Sequence, residues 1–178
     1  TEAGVLNTLV NIEHDEDQAE RASGSYGQAL GILEDLGGHL EMQATVLTNL
    51  GGCYVTLGQS DDGIRMLREA HTRARQAGFR RVAALSLTRL AEAFYSLGEM
   101  DQARDALNES DGLASRADDC YHDILFLNSY HRWTLAREEG NGTREKIAFG
   151  RLRHLRSLLQ RRFAEVEAFD RHVERTRR

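Results

Sequence analysis

Apolar side chains recur three and four residues apart along this chain, with polar or charged residues between them. That is helical spacing, not the alternation of a strand. It predicts a helix over residues 4–14, with Leu6, Leu9, Val10 and Ile12 on one face. A second follows over 18–36, with Ala22, Tyr26, Ala29, Leu30 and Leu33 facing inward. Gly24, Gly27 and Gly31 fall inside it, each costing up to about 1 kcal/mol relative to alanine. They are expected to let another helix approach closely. Further helices are predicted over 41–57, 61–77, 80–97 and 101–117. Glycine supplies the stops at Gly37, Gly38, Gly58, Gly78 and Gly98, and proline is absent. Ser60, Asp61 and Asp62 are expected to cap the helix that starts there.

The stretch Ala44 to Arg116 states one pattern twice, forty residues apart. Leu47, Leu50, Gly51, Tyr54, Gly58 and Leu67 are answered by Leu87, Leu90, Ala91, Phe94, Gly98 and Leu107. Small residues recur where paired helices must touch, at Gly51 with Gly63 and at Ala91 with Ala103. A period of this size marks stacked helix pairs, because one pair cannot bury its apolar stripe alone.

These residues resemble the tetratricopeptide repeat, in a forty-residue version similar to that of bacterial signalling proteins. The resemblance implies an all-α fold, a right-handed superhelix of antiparallel helix pairs with a long C-terminal helix. Repeats are expected over about 4–38, 44–78 and 84–118, with a degenerate copy from 124 through 142 using Leu127, Tyr130 and His131. The implied repeat domain spans 1–142, and 143–178 form the long helix.

Within that last helix, Leu152, Leu155, Leu159, Val166, Phe169 and Val173 fall at a and d positions of a heptad. This spacing suits a coiled-coil seam between two copies, or a solvating cap on the last repeat. The chain is expected to begin inside a repeat and end inside this helix, as a piece of a larger protein.

Charge sharpens the division. Residues 143–178 hold 11 Lys and Arg against 5 Asp and Glu, whereas the whole chain carries a net charge of −5. The body is therefore acidic and the tail basic, which bears on partners rather than on fold. Arg151, Arg153, Arg156, Arg161 and Arg162 suggest phosphate contacts, but Glu165, Glu167, Asp170 and Glu174 interrupt them. Nucleic acid is not the expected partner. Lys146 is the only lysine, a bias of GC-rich bacterial genomes. No apolar run reaches the roughly 18 residues of a membrane span, and no signal-peptide pattern opens the chain, so a cytoplasmic location is expected.

Catalytic chemistry is not written in the sequence. There is no phosphate loop, no Gly-x-Ser-x-Gly and no His-Glu-x-x-His, so no enzyme, cofactor or metal is expected. Cys53 and Cys120 read as reduced thiols.

The remaining candidate is the concave groove lined by the first helix of each pair. Its expected lining is Asn7, Asn11, Thr48, Asn49, Gly52, Arg89, Glu92, Tyr95, Asn128 and Arg132. Asparagine amides suit a peptide backbone and arginine suits a carboxylate. Repeats of the resembled family that clamp a C-terminal carboxylate use five positions, here Asn7, Asn11, Asn49, Leu85 and Arg89. Three keep the family's residue type. The resemblance thus implies a module for a protein or peptide ligand, and the heptad spacing a homodimer through the last helix. It further implies the regulatory part of a signalling protein with an output domain such as a diguanylate cyclase. The alternatives are the peptide-sensing domain of a transcription factor and a structural scaffold.

Overall fold

In the computed structural model, residues 16–116 and 120–160 are described. They form seven α-helices: α1 (Glu16–Leu36), α2 (Leu40–Thr56), α3 (Ser60–Gln76), α4 (Arg80–Ser96), α5 (Met100–Ala114), α6 (His122–Glu138) and α7 (Gly142–Gln160). Each packs on its neighbours in sequence, and in addition α2 packs on α4 and α4 on α6. Helices α2, α4 and α6 therefore form one layer, and α1, α3, α5 and α7 back it.

The forty-residue period has a simple origin. Helices α2, α3 and α4 are each 17 residues long, joined by three-residue turns. Each turn closes the same way. Gly58, Gly78, Gly98 and Gly140 take the left-handed conformation, with φ between 65° and 79°. The N–H after each glycine reaches back to a carbonyl in the last helical turn, as from Gln59 to Tyr54 at 2.8 Å and from Glu99 to Phe94 at 2.8 Å. These Schellman bonds satisfy carbonyls the helix leaves open.

The turn from α1 to α2 is different. Gly37, Gly38 and His39 are all left-handed, and His39 is the one non-glycine with positive φ among the described residues. The buried Gln43 side chain compensates. Its amide donates to the Leu33 and Gly38 carbonyls at 2.9 and 3.0 Å, and its oxygen accepts from Arg73 at 3.1 Å.

Small residues meet where the pattern put them. A Cβ on Gly63 would lie 2.8 Å from the Gly51 carbonyl oxygen, so α2 and α3 touch backbone to backbone. Leu67 and Leu107 are fully buried beside these contacts.

Four expectations are corrected. Among the described residues no helix comes close to Gly24, Gly27 or Gly31, since a Cβ on any of them meets nothing within 4 Å there. Ser60 does not cap α3; it lies inside the helix, 3.1 Å from the Ser96 hydroxyl, and Gln59 occupies the cap position. Seven residues, 115–121, join α5 to α6, so α6 starts 42 residues after α4 and the third copy runs in a register two residues later. Gly140 answers Gly98, and Trp133, fully buried, stands where Gly51 and Ala91 stand.

The last correction concerns the heptad. Leu152, Leu155 and Leu159 are buried against Trp133, Ile124, Phe126 and Leu127 in one core. They pack α7 onto the array rather than facing outward as a seam. Over three positions, a coiled-coil stripe and a core-facing stripe are the same pattern. Val166, Phe169 and Val173 lie outside the described residues.

Candidate interaction face

Equivalent positions on α2, α4 and α6 form rows across the inner layer. One row is Asn49, Arg89 and His131, and the next is Gly52, Glu92 and Thr134. The sequence brings four expected groove residues together here: Asn49, Gly52, Arg89 and Glu92. Arg89 donates from Nη1 to both Glu92 oxygens, at 2.8 and 3.0 Å. On the far side, His131 Nε2 lies 2.9 Å from Glu92 Oε1 in a bent approach. Toward α1, Asn49 lies beside the Tyr26 hydroxyl, and Cys53 and Tyr26 lie within electrostatic reach of Arg89.

The side chains of Arg89 and Glu92 are 15% and 23% exposed, so their charges interact in a partly desolvated setting. Burial would push the Glu92 carboxyl up, but Arg89 and His131 outweigh it and hold its pKa at about 2. Burial works against the Arg89 charge, yet Glu92 raises its pKa above the ordinary value. The Cys53 thiol is pushed up by burial despite nearby Arg89, so it is protonated and poorly nucleophilic. Tyr26 is likewise raised by burial.

Arg89 spends only Nη1 on Glu92, and Gly52 leaves open the space beside its Nε, 3.7 Å from where a Cβ would sit. The face is thus near-neutral and rich in donors and acceptors. Such a surface suits the backbone of an extended segment better than a free carboxylate, because the arginine charge is already matched. Leu85, a position of the carboxylate clamp, packs on the core of the third pair.

Tyr95 joins the face from one side, its hydroxyl donating to Glu138 of α6, and burial followed by that carboxylate raises its pKa. Three expected groove residues do not line the face. Thr48 is fully buried and 2.8 Å from the Ser86 hydroxyl, between α2 and α4. Asn128, also fully buried, makes the equivalent contact between α4 and α6, accepting from Thr88 at 2.7 Å and donating to Ser110 and Asp111 at 2.9 and 2.8 Å. Arg132 turns toward α5, donating to Asn108 at 2.9 Å and to Asp111 at 3.4 Å. Burial lowers its pKa, Arg151 adds to the effect, and Asp111 opposes it. Asn7 and Asn11 lie outside the described residues.

Sequence reasoning missed Tyr26, Cys53 and His131 as members of this face. His131 was findable from the glycines, since matching Gly140 to Gly98 aligns it with Arg89. Among the described residues, no three His, Cys, Asp or Glu side chains converge on a metal-sized site, and no helix is long and apolar enough to cross a membrane.

Stacked antiparallel helix pairs with a polar inner layer define a helical-repeat fold. The tetratricopeptide repeat family matches residues 42–110, from early α2 to Ser110 of α5. The fold is accordingly all-α and tetratricopeptide-like, and repeats of that family mediate protein–protein interaction. Neither a curated protein nor a solved structure matches the chain.

Proposed function

We propose that this chain is the interaction module of a bacterial, cytoplasmic signalling protein, and that it holds an extended protein segment along the inner face of α2, α4 and α6. The observation that carries this reading is the polar row from Tyr26 through Asn49, Arg89 and Glu92 to His131, which runs across α1, α2, α4 and α6 with Arg89 and Glu92 paired before any ligand arrives. A preset row costs little ordering on binding. The repeat array takes in α7, which packs on α6 as the second helix of the last pair, and the chain beyond it leads to an output domain such as a diguanylate cyclase. The second reading, a peptide-sensing domain of a transcription regulator, rests on the same face. Val166, Phe169 and Val173 would pair two copies, a reading that deletion of 161–178 tests by light scattering: an unchanged dimer overturns it.

Gly52 offers a test of the face that spares the fold, since a Cβ there makes only ordinary contact. Peptides selected from a display library on the intact chain should lose tenfold or more in affinity for Gly52→Leu. Equal affinity for both proteins, with unchanged helicity, removes the inner face as the binding surface.

A further inference from the structure

Arg89 is matched by Glu92, and Arg81 by Asp123. Where α5, α6 and α7 meet, the matching fails. Arg132 of α6 and Arg151 of α7 share Asp111 of α5, reaching its Oδ2 at 3.4 and 2.7 Å. Among the described residues, Asp111 is the only carboxylate within ion-pair distance of either arginine. Its other oxygen accepts from the Asn128 amide at 2.8 Å. Two cations therefore stand against one anion that already has three donors, and one positive charge is left over.

That charge is partly desolvated. The side chains of Arg132 and Arg151 are 25% and 39% exposed. Burial, and then Arg151, lower the Arg132 pKa against the pull of Asp111. A charge drawn out of water is costly unless it is paired. Hydrogen-bond donors are left over as well. Arg132 spends Nη2 on Asn108 and Asp111, and its Nε is buried without a hydrogen-bond partner. Among the described residues, Arg151 spends only Nη1. Asn108 is exposed and gives Arg132 its oxygen, so its amide N–H groups remain to donate. Because both arginines reach one oxygen of Asp111, they are close enough for one small ion to touch both.

We propose that Arg132, Arg151 and Asn108 form a binding site for one phosphoryl group, at the place where α5 and α7 both meet α6. Guanidinium forks match the paired oxygens of an oxyanion. A phosphoryl group offers three acceptor oxygens to the three donor residues, whereas a carboxylate offers two. Its negative charge offsets the surplus cation, and it ties α7 to α5, two helices that each pack on α6. The group comes either as inorganic phosphate or on a phosphorylated side chain. The site uses none of the row from Tyr26 to His131, so it stands or falls separately from segment binding on the inner face.

Titration of the whole chain with sodium phosphate tests this, with sodium chloride at equal ionic strength as reference and the arginine N–H signals in NMR as readout. Phosphate should shift the Arg132 and Arg151 signals to saturation, and chloride should not. Arg151→Gln should weaken the binding read at Arg132 tenfold or more, at unchanged helicity. Lys146→Gln removes a charge from an exposed position of the same helix and should leave binding as it was. If Arg151→Gln loses helicity, Arg151→Lys, which keeps the charge without the planar fork, should weaken binding in the same direction. A short peptide whose only charge is one phosphoserine identifies the source. Tighter binding than phosphate assigns a phosphorylated segment and weaker binding assigns the free ion, each upholding the site. Shifts no larger than those with chloride overturn the proposal. So does equal affinity in the folded Arg151 variant, or an equal loss from Lys146→Gln.

Discussion

The inner pairs, α2–α3 and α4–α5, and the last pair, α6–α7, solve the same packing problem in opposite ways. The inner pairs set small residues against each other, Gly51 on Gly63 backbone to backbone and Ala91 with Ala103 in one core, and seat one leucine beside each contact. The last pair puts Trp133 at the small position and spreads α7 over it with Ala148, Leu152, Leu155 and Leu159. Phe149 and Tyr130 pack around the indole, at centroid distances of 6.1 and 6.0 Å. Close approach therefore depends on what is missing from the side chains, and the wide pair depends on what one large side chain fills. The two regions are joined by the Glu92–His131 contact and by the Asn128 bonds.

That contrast can be broken most severely at Trp133. Trp133→Ala should cost about 3–5 kcal/mol, with hydrogen-exchange protection lost first in α6 and α7. Equal loss in α2 and α3 would show that the pairs unfold as one unit. The joint between them should fail in acid. Glu92 has its folded pKa depressed to about 2, so its contribution is full above the unfolded value of roughly 4.3 and is lost as pH falls toward about 2. The loss is on the order of 3 kcal/mol. Glu92→Gln should flatten that part of the stability-against-pH curve in urea titrations, and an unchanged slope would remove Glu92 as its source. In the inner pairs, Gly63→Ala should cost about 1–3 kcal/mol by overpacking. The smallest effect lies outside both regions: Gly24→Ala, exposed and uncrowded, should gain up to about 1 kcal/mol in thermal melts.

The helices and the forty-residue period were legible because each turn carries its own glycine and each contact its own small residue. The face was legible in part. Helical spacing says that Thr48, Asn49 and Gly52 share a side, but that side must serve both the neighbouring helix and the open surface. Only the packing angle between α2 and α4 decides that Thr48 is covered and Asn49 is not. Arg132 went astray for a related reason, since the two-residue change of register before α6 moves each position about half a turn around the helix. Leu152, Leu155 and Leu159 suited either a seam or a cap on the last repeat, because an apolar stripe does not name its partner, and the packing selects the cap. The Arg89–Glu92 pair had been visible as two groove residues, but not as a pair that neutralises itself.

The seven-residue connection before α6 also bears on how the chain folds. Most contacts join sequence neighbours through three-residue turns, a low-contact-order arrangement that folds in milliseconds or faster. With no proline in the chain, no slow prolyl isomerisation delays it. Lengthening one connection from three residues to seven adds under about 1 kcal/mol of closure entropy, too little to slow the docking of α6 appreciably. Its consequence is freedom of evolution instead: beyond residue 121 the last pair is released from the forty-residue spacing that binds the inner two, while Ala84, Ala114 and Leu135 still tie its core to theirs.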